Sequence, residues 1–150
     1  MGEFHFRKLH VYRLTLMICA HLYRSTRVSP IAARPIVTQL IRASSSIALN
    51  IAEGAGEYRP AEKARFYRIA RRSAAETAAA LDLLIAIKAV PAEAAERCHR
   101  GLDQVGAMLT SLAKNQESRH DAGEPATNKH PKNRNAGTRG RNQEATKNEE

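Results

Sequence analysis

The sequence QLIRASSSIALNIAEGAGEYR, residues 39–59, decides the fold. Apolar and small residues recur through its first part at steps of three and four, so they share one face of a helix. They are Leu40, Ser44, Ile47, Ala48 and Ile51. Gly54 and Gly56 then interrupt the pattern, and glycine readily adopts the left-handed conformation that ends many helices. We therefore predict a tight turn at residues 54–56, which makes this stretch the corner of a helical hairpin.

A second, longer helix is predicted after this corner, from about Ala61 to Ala89. Its core-facing positions step by three or four residues, close to the heptad repeat of a left-handed bundle. They are Phe66, Ile69, Ser73, Thr77, Ala80, Leu84 and Ile87. Several alanines between positions 74 and 80 add helix propensity where the packing side chains are small.

Two further amphipathic helices complete the pattern. The earlier of the two should run from about Leu9 to Ser25. The first helix of the hairpin itself should run from about Ala33 to Gly54. The last should start at Pro91. The earlier helix carries Leu9, Tyr12, Leu16, Cys19 and Tyr23 toward the core, and Val11, Ile18 and Leu22 widen this face. The last carries Cys98, Leu102, Val105, Leu109 and Leu112. Because no segment alternates like a strand, the sequence predicts an all-α protein, an antiparallel up-and-down four-helix bundle.

The chain divides into a predicted bundle domain, residues 1–115, and a polar tail, residues 116–150. The tail contains no Val, Ile, Leu, Met or aromatic residue. Such a segment buries too little apolar surface to offset its chain entropy, so we expect it to be disordered.

The chain of 150 residues has a formal net charge of +9. Up to Asn115 there are 17 Lys and Arg against 9 Asp and Glu, so the excess belongs to the predicted domain. A basic surface favours a polyanion partner such as RNA or DNA. A soluble surface neutralised only by counterions is the alternative.

Cys19 and Cys98 form no C-x-x-C pair and lie in apolar stripes, so we expect reduced core residues in a cytoplasmic protein. The longest apolar run, Leu14 to Ala20, is far shorter than the roughly 20 residues that span a bilayer. We therefore expect no membrane association.

Residues 39–58, followed by FYRIARRSAAE at 66–76, resemble the four-helix-bundle proteins encoded in intervening sequences of bacterial large-subunit (23S) ribosomal RNA genes. The resemblance covers roughly residues 4 to 113. Its most specific part is NIAEG at 50–54, with Ser73 and Glu76 in the next helix. The sequence departs from the family pattern at Arg72, where glycine is frequent.

This resemblance implies a ring-like homo-oligomer, with a pentamer as the expected assembly. Relatives of the fold include the accessory proteins of diversity-generating retroelements, which bind nucleic acid and the retroelement's reverse transcriptase. The family therefore implies two classes of partner, a nucleic acid or a protein such as a reverse transcriptase.

Four polar residues beside the helix seams are candidates for chemistry: Asn50, Glu53, Ser73 and Glu76. Carboxylates near a serine allow an enzymatic interpretation. We favour a structural network, in which a buried carboxylate bonded to Asn, Ser or backbone amides fixes helix register. No His or Cys stands near them at metal-ligand spacing. The sequence thus predicts no catalytic residue, no metal and no cofactor.

A basic cluster follows the hairpin corner. Arg65, Arg68 and Arg72 share one helix face, and Arg59, Lys63 and Arg71 flank it. Because arginine donates two hydrogen bonds to one phosphate, the cluster predicts RNA or DNA binding through the backbone. A solvated face, or one paired with acids of a neighbouring subunit, is the alternative. An adaptor that binds a protein through its helical faces is the competing function.

Overall fold

The computed structural model describes residues 4–123, and over that range the chain is a helical bundle without strands. The helices are α1 (His10–Thr26), α2 (Arg34–Gly56), α3 (Pro60–Ala86) and α4 (Ala92–Asp121). Short 3₁₀ turns occupy His5–Lys8 and Ile31–Ala33. The predicted all-α four-helix bundle is confirmed.

Helices α2, α3 and α4 run antiparallel in turn, because Gln39 and Ser46 contact Glu76 and Ser73, respectively, and Arg68 and Asp82 contact Glu117 and His99. One contact at each seam illustrates the packing. The Cys19 thiol donates to the Ser44 carbonyl between α1 and α2, at 3.3 Å. The hydroxyl oxygens of Ser46 and Ser73 lie 2.9 Å apart between α2 and α3. His99 Nε2 of α4 lies 3.1 Å from a carboxylate oxygen of Asp82 on α3. Contacts between α2 and α3 are the most extensive of the bundle, so this hairpin is its centre.

The hairpin corner lies a few residues later than the glycines predict. Gly54, Ala55 and Gly56 form the last turn of α2, and the chain reverses over residues 57–59. Glu57 is extended, with φ −69° and ψ 149°, and Pro60 starts α3. The predicted tight turn at residues 54–56 is therefore wrong.

Gly54 has a packing function instead. A Cβ atom at this position would lie 2.9 Å from Tyr67 Cε1 and 3.0 Å from Phe66 Cβ. No real Cβ sits that close to an aromatic ring, so only glycine lets α3 approach α2 here. The interruption that resembles a helix end is a close contact between the α2 backbone and the side chains of Phe66 and Tyr67 on α3.

The left-handed conformation expected at the glycine corner occurs at the end of α3. Lys88 has φ 58°. The Ala89 amide donates to the Leu84 carbonyl at 2.8 Å, and the Lys88 amide donates to Ile85 at 2.9 Å. These two bonds form a Schellman motif, which satisfies carbonyls at the helix end. Because α3 ends at Ala86, the predicted core residue Ile87 is half exposed.

Helix α1 faces the core differently from the prediction. Its buried residues are Val11, Thr15, Ile18, Leu22 and Thr26. The hydroxyls of Thr15 and Thr26 donate to the carbonyls four residues earlier, both at 2.8 Å, so threonine can be buried without an unpaired donor. The core face is therefore rotated, which leaves the predicted core residues Leu16 and Tyr23 45% and 61% exposed.

Helix α4 is longer than predicted. Residues 116–121, assigned from the sequence to the polar tail, continue the helix to Asp121. The remainder of the predicted tail, residues 124–150, lies outside the described residues. Cys98, Leu102, Val105 and Leu109 are buried as predicted. Both cysteines are free thiols, and burial raises the pKa of each. Across residues 4–123, every helix is too short or too polar to cross a bilayer.

Candidate nucleic-acid interface

Arg71 and Arg72 lie side by side on α3 and are both exposed. They line a groove of about 470 Å³ between α3 and α4, which Asp103 and Thr110 of α4 also line. Neither guanidinium forms an ion pair within residues 4–123, although Asp103 borders the same groove. These two side chains are available to an anionic partner.

Arg65 and Arg68 are exposed on the predicted face but have acidic partners. Arg65 Nε donates to Glu62 Oε2 at 2.8 Å, and its guanidinium lies over the Phe66 ring, 4.4 Å from the centroid. Arg68 donates to Glu117 near the end of α4. All four charged side chains remain about half exposed, so these are surface ion pairs. Such pairs are typically worth about 0–1 kcal/mol.

Arg59 and Lys63 lie where α3 begins. Arg59 is the exposed N-cap residue of α3, and its carbonyl accepts from the Lys63 amide at 3.0 Å. Partial burial lowers the pKa of Lys63, and the nearby charge of Arg119 lowers it further. The structure thus gives the six predicted residues three environments: exposed without an ion pair (Arg59, Arg71 and Arg72), ion-paired (Arg65 and Arg68), and half-buried (Lys63).

The predicted polar network is only partly assembled. Asn50 Nδ2 donates to the Ser46 carbonyl at 2.8 Å and lies 3.1 Å from Ser46 Oγ, which in turn bonds Ser73. Glu53 and Glu76 are both exposed, so the expected buried carboxylate is a wrong prediction. Instead, Glu76 accepts a hydrogen bond from Gln39 at the surface. The α2–α3 register is therefore held by hydroxyl and amide groups.

A second, more apolar groove of about 620 Å³ runs between α1 and α4. Leu14, Met17 and Ile18 of α1 face Cys98 and Gly101 of α4 across it. His21 also lines the groove, and its buried Nε2 has no hydrogen-bond partner within the described part of the chain. Sequence reasoning missed this groove because the periodicity of a single helix shows which residues are apolar but not where two helices leave a gap between them.

The described side chains form no cluster suited to holding a metal ion. Within residues 4–123 no group of three or more His, Cys, Asp or Glu residues has the required proximity.

Fold and surface together define a four-helix-bundle protein in which several exposed arginines have no ion pair within residues 4–123. A family model described as 23S rRNA-intervening sequence protein matches residues 7–111, which is more than half of the chain. The protein belongs to this family, and the family resemblance stated from residues 39–58 and 66–76 is confirmed. A comparison with curated proteins found no match.

Proposed function

We propose that this protein is a non-enzymatic, homo-oligomeric bundle that binds RNA or DNA through phosphate contacts. The observation that carries the proposal is the pair Arg71 and Arg72, two adjacent exposed guanidiniums without an ion pair in residues 4–123. Two like charges at neighbouring positions repel each other, and an anionic ligand relieves that repulsion. Arg59, also exposed and without an ion pair within residues 4–123, lies at the start of α3 near the hairpin corner.

Phosphate contact suits this surface better than base reading. Guanidinium groups match phosphate oxygens with two parallel hydrogen bonds, whereas sequence-tolerant stacking needs several aromatic platforms. Aromatic residues make up only 5% of the chain, and Phe66 already lies beneath Arg65. We therefore expect binding with little preference for sequence.

The ion pairs of Arg65 and Arg68 modify this surface without removing it. Because each pair is exposed and weak, a phosphate can replace the carboxylate of Glu62 or Glu117. That exchange leaves a released carboxylate close to the bound phosphate, and the two negative charges repel each other. A paired arginine therefore contributes less to the binding free energy than an arginine without an ion pair. The strongest contribution from α3 should come from Arg59, Arg71 and Arg72.

A binding role rather than catalysis is supported by the polar residues beside the seams. Asn50 bonds Ser46 within α2, and Ser46 bonds Ser73 across to α3, so Asn50 and Ser73 are both engaged in hydrogen bonds with Ser46. Glu53 and Glu76 lie apart from them at the surface. The four residues that allowed an enzymatic interpretation therefore do not converge on one site.

The test compares two variants of the full chain. We expect R59A/R71A/R72A to weaken binding of a labelled single-stranded oligonucleotide by about tenfold at 0.1 M salt, and the log–log salt slope to become shallower by about 2. Fluorescence anisotropy measures both quantities. The control, R65A/R68A, removes the ion-paired arginines and should weaken binding less.

Light scattering on the same samples checks that both variants keep the wild-type assembly. Equal loss in the two variants would show that ion pairing does not decide which arginines bind. Absence of binding by the wild-type chain at 50 mM salt would refute the proposed function itself.

The second candidate is an assembly or adaptor module, and a specific observation favours it. The apolar groove between α1 and α4 lies beside Met17, which is 61% exposed, and large exposed side chains mark interaction surfaces when they are contiguous. A second copy, within the proposed pentamer, would cover such a face. A protein partner such as a reverse transcriptase, as for the accessory proteins of diversity-generating retroelements, is the alternative occupant.

A further inference from the structure

Acidic residues are distributed very unevenly along the chain. Residues 4–52 contain no Asp or Glu and seven Lys or Arg. This acid-free segment includes all of α1 and most of α2. Residues 53–123 contain ten Asp or Glu against eleven Lys or Arg. Nearly all of the net positive charge of the described chain therefore belongs to the α1–α2 half.

Five arginines of the acid-free segment are exposed: Arg13, Arg24, Arg27, Arg34 and Arg42. None of the five forms an ion pair with a carboxylate within residues 4–123. On α3 and α4, by contrast, Arg65, Arg68 and Arg100 each have a carboxylate partner. Because residues 4–52 contain no Asp or Glu, no carboxylate of this segment competes with a phosphate for these arginines.

The helix geometry places these arginines on the outside of the bundle. Arg13 and Arg24 are eleven residues apart, which is close to three helical turns, so they share one face of α1. That face is opposite to the buried Leu22. The bond between Cys19 and Ser44 sets an antiparallel register, so Arg42 lies within about one helical turn of the height of Arg24.

The arginines concentrate at the end of the bundle where α1 connects to α2. Arg27 follows the end of α1, and Arg34 is the first residue of α2. Arg24 lies in the last turn of α1, and Arg42 lies about two turns into α2. Tyr23, 61% exposed and adjacent to Arg24, offers a ring on which a base can stack.

We infer that the outer face of α1 and α2, defined by Arg13, Arg24, Arg27, Arg34 and Arg42, is the principal phosphate-binding surface of the protein. This inference rests on the proposed nucleic-acid binding. It assigns most of the electrostatic attraction for the nucleic acid to the α1–α2 face and not to α3. The physical reason is competition from carboxylates. On α3, Arg65 and Arg68 are ion-paired and Asp103 lines the groove of Arg71 and Arg72, and residues 53–123 carry ten acidic residues in all. Residues 4–52 carry none, so the arginines of the α1–α2 face act in a local field that is almost wholly positive. The ligand is a single-stranded RNA or DNA bound through its backbone.

The test sets two triple variants of the full chain against each other. We expect R24A/R34A/R42A to weaken oligonucleotide binding by more than tenfold at 0.1 M salt, with a larger loss of slope than R59A/R71A/R72A. The charge-preserving variant R24K/R34K/R42K should retain most of the affinity and slope. Circular dichroism and light scattering establish that each variant keeps its fold and mass.

The outcomes separate this inference from the proposed function. If R24A/R34A/R42A binds like the wild type while R59A/R71A/R72A is impaired, the α1–α2 assignment is overturned and nucleic-acid binding stands. If the wild-type chain binds no oligonucleotide at 50 mM salt, both fail. If the α1–α2 arginines are needed for binding to anionic lipid vesicles but not to the oligonucleotide, the nucleic-acid assignment of this face is overturned.

Discussion

Leu84→Ala is expected to lower the free energy of unfolding by about 2–5 kcal/mol. Leu84 lies on α3 and has no exposed surface. Truncation removes apolar contacts and leaves a cavity, because the neighbouring helices cannot collapse fully into the space. Denaturant unfolding followed by circular dichroism measures the loss. Protein concentration must be held fixed, since self-association couples stability to concentration.

The preceding residue supplies a matched control. Leu83 is the same residue type on the same helix but is 55% exposed. Leu83→Ala should change the free energy of unfolding by no more than about 0.5 kcal/mol. Equal destabilisation by the two substitutions would contradict the assignment of the α3 core face.

Gly54→Ala should also destabilise the protein, by about 1–3 kcal/mol. The added methyl group would lie 2.9 Å from the Tyr67 ring and 3.0 Å from Phe66 Cβ. Neither group is the free end of a flexible chain, so α2 and α3 must separate to accommodate it. The gain in helix propensity of up to about 1 kcal/mol that alanine normally brings only partly offsets this strain. The midpoint of denaturant unfolding measures the net effect.

Gly56→Ala is the control for this substitution. Gly56 lies on the same final turn of α2, but a Cβ atom there meets no other atom within 4 Å. We expect stability to be unchanged or raised by up to about 1 kcal/mol. A similar loss at both positions would mean that the glycines serve a backbone conformation, as the sequence suggested, and not the close approach of α3.

The parts of the fold that the sequence predicts well are those in which one face is apolar throughout. Leu84 and Leu109 belong to stripes that a helix period alone reveals, and both are buried. The α1 face was predicted only in part. Val11, Ile18 and Leu22 are buried as expected, but periodicity favoured Leu16 and Tyr23 over threonine. The backbone hydrogen bonds of Thr15 and Thr26 allow these two polar residues to be buried on the observed face.

The hairpin corner shows a second limit. Glycine in a sequence indicates either a left-handed turn or a close contact, and the pattern around Gly54 does not distinguish them. The decisive partner, Tyr67, lies thirteen residues away on the next helix. A left-handed residue does end α3, but it is Lys88, a residue type with no preference for that conformation.

The residues of the candidate site could be predicted from the sequence, but their ion pairs could not. The positions of Arg65, Arg68 and Arg72 on one exposed face follow from their spacing. The bond from Arg68 to Glu117 joins residues 49 positions apart, and Glu117 was assigned to the tail. The regular steps of α4 through Leu109 and Ala113 to Glu117 were the signal that the helix continues.

The central claim is that exposed arginines without ion pairs neutralise phosphates, and a salt titration of the wild-type chain tests it most directly. Binding of a labelled single-stranded oligonucleotide is measured by anisotropy between 50 and 200 mM salt. With at least four phosphates contacted, the slope of log K against log salt should be about −3 or steeper, and the affinity should fall by roughly 50-fold or more. An affinity that does not change over this range, or no binding at 50 mM salt, would contradict the claim.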